Sequence, residues 1–175
     1  IDNLPASYLF IRAHIIFATA LAFQSLGQSA EAIRIMREEV HDEATRITLP
    51  SIWLRGYLAT IYYMAGRLQQ AVRTAKETVT LLEYQTAHKA YAASIPYRWL
   101  GTIYYEWNQV ETAQSYFLQV DPSNSSPYHN SQLFLAWYCE VVGQTAQADQ
   151  IVAKIQRWAL PLNSRTIRNG LASFH

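Results

Sequence analysis

The sequence predicts an all-α chain: a right-handed superhelix of about four antiparallel helix pairs. Two patterns and a composition carry this. Four turn-forming residues are each followed five positions later by alanine: Gly27 and Ala32, Gly66 and Ala71, Asn108 and Ala113, Gly143 and Ala148. The register extends outward from each turn. Seven positions before stand the small residues Ala20, Ala59, Gly101 and Ala136, and four before stand Phe23, Tyr62, Tyr104 and Cys139. Nine after come Met36, Ala75, Phe117 and Val152, all apolar. Finally, 50% of the chain is hydrophobic and only 15% charged, enough to bury a large apolar surface.

The physical reading is direct. Glycine or asparagine suits the left-handed position that ends a helix. A small residue in the first helix and another in the second let two helices approach closely, and the large residues beside them fill the remaining space.

The elements follow in order. A first helix runs from about Ala6 to Leu26, with Pro5 at its entrance, and its partner from Ser29, an N-cap, to about Thr45. Pro50 and Ser51 open the second pair's first helix, which ends at Gly66; its partner covers about Leu68 to Thr86. The third pair begins with a helix from about Ala90 to Trp107. Pro96 lies inside it and marks where regular helix is expected to start. The partner covers about Val110 to Val120. Asp121 to Pro127 is the clear loop, rich in Ser, Asn and Pro. The fourth pair runs from about His129 to Val142 and from Thr145 to Trp158. After Pro161, Asn163 or Ser164 caps the start of a further helix over 163–175, which would close the end of the stack. The repeat units are thus about 6–45, 51–86, 90–120 and 129–158, in one domain.

The turns are spaced 39, 42 and 35 residues apart. Helix pairs repeating at about 34 residues are tetratricopeptide (TPR) repeats. These spacings are longer and uneven, so helices or connecting loops are extended.

Composition and motifs exclude several function classes. The net charge is +1, with scattered basic residues, which gives no support for nucleic-acid binding. The single cysteine, Cys139, rules out an internal disulfide and fits a reducing, cytoplasmic compartment. It occupies an aromatic position of the repeat and reads as a buried, inert thiol. No uninterrupted apolar run reaches the ~18 residues of a membrane span; Phe10 to Leu26 comes closest, broken by Arg12, His14, Gln24 and Ser25. The start at Ile1 reads as a piece of a longer chain. No phosphate-binding glycine loop occurs, so no nucleotide cofactor is expected. The five histidines show no metal-ligand spacing. His41-Asp42-Glu43 reads as the polar end of a helix, and Asn124-Ser125-Ser126 as a loop rather than a glycosylation site. No convergent set of catalytic groups is present, so the chain is not expected to be an enzyme.

A second stripe on the first helix of each pair recurs 13, 10, 6, 3 and 2 positions before the turn, which is helical spacing. In TPR proteins such a stripe lines the concave groove. It brings forward Trp53 and Tyr63 from the second unit, Arg98, Thr102, Tyr105 and Glu106 from the third, and Trp137 from the fourth. Aromatic rings with a few placed polar groups are what ligand sites use. These seven are the candidate binding residues; the competing reading is that the rings pack between repeats. The Lys and Asn positions of the carboxylate clamp in chaperone-binding TPR domains are taken by Phe17, Gly56, Leu21 and Thr60.

Two segments carry a narrower resemblance. One is Arg12-Ala13-His14 running into Ala20 to Gly27. The other is Leu100 to Asn108 with Glu111-Thr112-Ala113, where Tyr105-Glu106-Trp107-Asn108 is the most specific run. Ala65 to Ala71 and Gln144 to Ala148 support them. Over about Ala6 to Trp158 the chain resembles the helical sensor region of large LuxR-family transcriptional regulators of the MalT type. The resemblance implies a regulator with a nucleotide-hydrolysing switch, this array as sensor, and a DNA-binding helix-turn-helix, neither flanking part lying in these residues. The array's partners would be a small-molecule inducer or a protein or peptide in the groove, and the regulator's other domains. A generic TPR scaffold that holds a peptide is the alternative.

Overall fold

The computed structural model describes residues 6–42, 48–82, 89–120 and 125–159. Among them the chain forms eight helices and no strand: α1 (Ala6–Ser25), α2 (Ser29–Asp42), α3 (Leu49–Met64), α4 (Leu68–Leu82), α5 (Lys89–Glu106), α6 (Val110–Leu118), α7 (Ser125–Val141) and α8 (Thr145–Ala159).

The four predicted turns share one geometry. Gly27, Gly66, Asn108 and Gly143 have φ of 74°, 70°, 57° and 77°. Each donates its N–H to the carbonyl three residues back, and the next residue donates to the carbonyl five back, as in Arg67 to Tyr62 at 2.8 Å and Gln144 to Cys139 at 2.7 Å. This is the Schellman termination, which satisfies two orphan carbonyls at the helix end. The residue after the turn also starts the next helix: the carbonyls of Gln28, Arg67, Gln109 and Gln144 accept from Ala32, Ala71, Ala113 and Ala148. The repeated alanine therefore sits one helical turn into the second helix, where it faces the first. All four are buried, as are Ala20, Ala59, Gly101 and Ala136 across the contact.

Helices α1 and α3 are apolar nearly all round, whereas α2, α4 and α8 are clearly amphipathic. In α3 every residue from Pro50 to Tyr62 except Arg55 is buried, as an all-round apolar helix requires. Thr48 and Ser51 form a capping box at its start, with Pro50 in the first turn.

The chain divides into two compact units, residues 1–99 and 100–175, and the division falls within α5. In the first unit α1 packs on α2 and both pack on α3, which in turn packs on α4. Arg12 on α1 donates to Glu39 on α2 at 2.9 Å, a part-buried ion pair holding the two helices together. Gly56 on α3 lies against α5: a Cβ there would meet Ile95 Cγ2 at 3.2 Å and Pro96 Cδ at 3.9 Å. In the second unit α7 carries two apolar faces. Leu133 and Ala136 join Val152 and Ile155 of α8, while Leu135, Tyr138 and Cys139 join Ala113 and Phe117 of α6 together with Ala148.

Three expectations are corrected. Helix α5 begins at Lys89, not at Pro96. The proline removes one hydrogen bond, but its ring is fully buried beside the notch that Gly56 leaves in α3, and that packing holds the helix continuous. Helix α7 begins at Ser125, so Ser125 to Pro127 form its first turn, where proline is tolerated. The window Tyr8–Ser25 of α1, of mean hydropathy 1.3, is long and apolar enough by length and composition to cross a membrane, which counting unbroken apolar runs missed. Here α1 is engaged on α2 and α3, with Tyr8, Ile11 and Ile15 exposed on its other side. The expected ends near Thr45 and Thr86, most of the loop from Asp121, and the helix over 163–175 lie outside the described residues.

Candidate binding site

In the first unit the stripe is part seam and part surface. Trp53, only 6% exposed, sits within van der Waals reach of three rings: centroid distances are 4.7 Å to Phe10, 5.2 Å to His14 and 5.7 Å to Tyr57. Phe17 stacks on Tyr57 at 4.0 Å. His14 Nδ1 lies 2.8 Å from the Phe10 carbonyl, which can only accept, so this nitrogen carries the proton and Nε2 accepts from the Tyr57 hydroxyl at 3.0 Å. Trp53 thus packs α1 against α3.

Tyr63 and Arg98 are partly exposed and lie together. Between them is Trp99, which the sequence reading passed over. Its ring lies 4.2 Å from that of Tyr63, its Nε1 donates to Thr60 Oγ1 at 2.7 Å, and the Arg98 guanidinium lies 4.4 Å above it. Thr60 is held in turn by the Gly56 carbonyl at 3.1 Å. Trp99 was legible after all. It stands nine residues before Asn108, as Tyr57 does before Gly66 and Phe134 before Gly143, so an aromatic stripe marks that register.

Arg98 is the unusual group. Burial lowers its pKa from 12.5 to about 10, with neighbouring Tyr63 acting in the opposite sense. Its Nε is out of solvent with no acceptor, and it forms no ion pair among the described residues. Stacking on the indole returns about 0.5–2 kcal/mol, and the side chain as a whole remains partly exposed.

In the second unit Thr102 is 3% exposed, and its hydroxyl has no acceptor among the described residues. Tyr105 is half-buried against the cluster around Phe117 and Cys139, while Glu106 is exposed. Trp137 is 36% exposed, its ring edge-on to Phe134 at 5.3 Å, and Phe134 is stacked parallel to Phe117 at 5.8 Å. The exposed members of the stripe are therefore Tyr63 and Arg98 in one unit and Tyr105, Glu106 and Trp137 in the other; Trp53 and Thr102 lie behind the surface. Cys139 is buried, and burial raises its thiol pKa, with Glu140 adding to the effect. Among the described residues no three His, Cys, Asp or Glu side chains are grouped to hold a metal.

Helix pairs joined by identical turns, with alanine at each contact, define a TPR-like solenoid. Solved structures agree. The kinesin light chain TPR-like repeats of Podosopora anserina match at TM-score 0.65 and 19% identity, over 93% of this chain and 94% of that one. A variant form of the same repeats matches at 0.66 and 20%, over 93% and 92%. BtubC (BKLC) from P. vanneervenii matches at 0.67 and 15%, over 87% and 65%. At these identities the likeness is one of fold. The family is shown by the sequence: residues 1–169 match the MalT-like TPR region, and the chain belongs to that family. No curated protein matches.

Proposed function

We propose that this chain is the non-catalytic sensor region of a LuxR/MalT-type transcriptional regulator acting in the cytoplasm, and that it recognises a small-molecule inducer, a peptide or another domain of the same regulator. Membership of the MalT-like TPR family supports the reading. The observation that carries it is Arg98, a partly buried guanidinium with no ion pair among the described residues, laid on Trp99 beside the partly exposed Tyr63. An oxygen acceptor on a ligand would pair with the buried Nε that lacks one. In the first unit we assign Tyr63 and Arg98 to effector contact, and in the second Tyr105, Glu106 and Trp137, each unit taken by itself. In each, rings stack on an apolar or sugar face, with Arg98 in the first and Glu106 in the second orienting a polar group.

The test is a thermal-shift screen of the chain against oligosaccharides and peptides. A ligand held by the first unit should lose its stabilising effect with Arg98→Ala, and one held by the second with Trp137→Ala, each variant retaining the melting temperature of the free protein. A large fall in melting temperature for Trp137→Ala would assign that ring to the core and end this reading. The likeness to kinesin light chain repeats favours, as a second reading, a TPR scaffold that holds a peptide. The coding sequence around this region separates the two: a Gly-x-x-x-x-Gly-Lys loop before it and a helix-turn-helix after it belong only to the regulator.

A further inference from the structure

We propose that the outer groove between α2 and α4 is a docking site for an acidic polypeptide segment of a partner protein. Its walls are α2, one side of α3, the corner residue Arg67 and the middle of α4. Two clefts, of about 690 Å³ and about 280 Å³, adjoin there and share Arg37 and His41. Arg34 and Arg67 line the first and Arg55 and Arg73 the second, with Glu38 and Glu77 the acidic residues in their walls. Five of the chain's 14 Lys and Arg therefore meet at this groove against three of its 13 Asp and Glu, Glu38 and Glu77 in its walls and Glu31 beside Arg34, in a protein whose net charge is +1. The charge is local to this face.

The arginines are not used up internally. Arg34 is held by Glu31 and Glu38, and Arg73 reaches Glu77 at 3.9 Å. Arg37, Arg55 and Arg67 form no ion pair among the described residues. Guanidinium forks match carboxylates in bidentate geometry. Arg37 and His41 stand one turn apart on α2, about 6 Å at 1.5 Å per residue, and share the two clefts with Arg67 and Arg55. Two carboxylates along one short segment span the same length. Ile33 and Leu58 contribute apolar wall for its side-chain stems. A single phosphate would call for cations converging on one point, whereas Arg67 and Arg55 serve different clefts. A duplex backbone would need more cations in line than this one short patch offers.

The probe is a fluorescein-labelled peptide carrying four glutamates among alanines, followed by anisotropy against the whole chain at about 150 mM salt, where only close ion pairs escape screening. Saturable binding is expected. The double variant Arg37→Glu, Arg67→Glu should weaken it about tenfold or more, the sum of two exposed ion pairs and their reversal. The pair Lys154→Glu, Arg157→Glu on α8 makes the same charge change elsewhere and should leave affinity within about twofold. If the reversal unfolds the chain by circular dichroism, Arg37→Gln with Arg67→Gln replaces it and should still weaken binding several-fold. Absence of saturable binding, or equal losses in the α2/α4 and α8 variants, would overturn the proposal. So would stronger competition by inorganic pyrophosphate or duplex DNA than by unlabelled peptide, which would assign the groove to phosphate instead.

Discussion

At Gly101 a single hydrogen atom decides the packing of the third pair. A Cβ there would lie 2.5 Å from Phe117 Cε1 and 2.6 Å from Cδ1, inside any tolerated contact. Helix propensity alone makes Gly→Ala favourable by about 1 kcal/mol. Overpacking acts the other way by about 1–3 kcal/mol, and the ring, itself fully buried, has nowhere to retreat. Gly101→Ala should therefore destabilise the chain in urea, and Phe117→Leu in the same chain should recover part of the loss. Ala71→Leu, at a buried contact of the second pair, should cost a similar amount. Arg98 makes the opposite prediction. Its folded pKa, near 10, lies below that of the free side chain, so at neutral pH it is charged in both states and the cost of burying that charge is fully present. The cost is relieved as pH rises through about 10. Arg98→Met should leave stability at pH 7 unchanged or raise it by about 1 kcal/mol, and the advantage should shrink in alkaline denaturation. A loss of more than that would show Arg98 to be structural.

The recurring element is the helix–turn–helix corner, and its chemistry was the most legible part of the chain. Gly66 has φ of 70° with nothing within 4 Å of where a Cβ would stand, so only backbone strain opposes a side chain there. Gly66→Ala should cost about 1–2 kcal/mol, measured as a shift in the denaturation midpoint with unchanged slope. Asn108 occupies the same left-handed position at 57° with a side chain. Asn108→Gly should stabilise the third corner by about 0.5–1 kcal/mol. Other elements escaped a local reading. Proline rules break a helix at Pro96, yet α5 runs through it because Gly56 opens space on another helix. The Ser- and Pro-rich stretch before His129 reads as loop, yet from Ser125 it is helix, since a first turn tolerates proline and favours serine.

For the whole chain, composition sets what should not happen. A net charge of +1 gives too little phosphate neutralisation to hold duplex DNA at physiological salt. With no glycine-rich phosphate loop, nothing recognisable in the sequence would cradle a nucleotide. The chain should leave duplex DNA unshifted in a gel at about 150 mM salt and show no micromolar affinity for ATP in calorimetry; tight binding of either would place a site that these arguments miss. The groove of arginines between α2 and α4 does not change the expectation for DNA, because its positive charge is local and interleaved with Glu38 and Glu77.

The sequence by itself determined the register of the fold: where the chain turns and which small residues meet. Those follow from local backbone chemistry and helical period, which act within a few residues. Only the tertiary structure decided which members of one stripe are surface. Six positions before the turn stand Thr60, Thr102 and Trp137, and the first two are buried while the last is exposed. Trp53 and Trp137 read alike as candidate ligand platforms, but Trp53 is enclosed by Phe10, His14 and Tyr57. Exposure depends on what a distant helix lays over a side chain, and no pattern within one repeat records that. The same holds for Arg98, which has no ion pair among the described residues, a fact visible only once α3 and α5 are side by side.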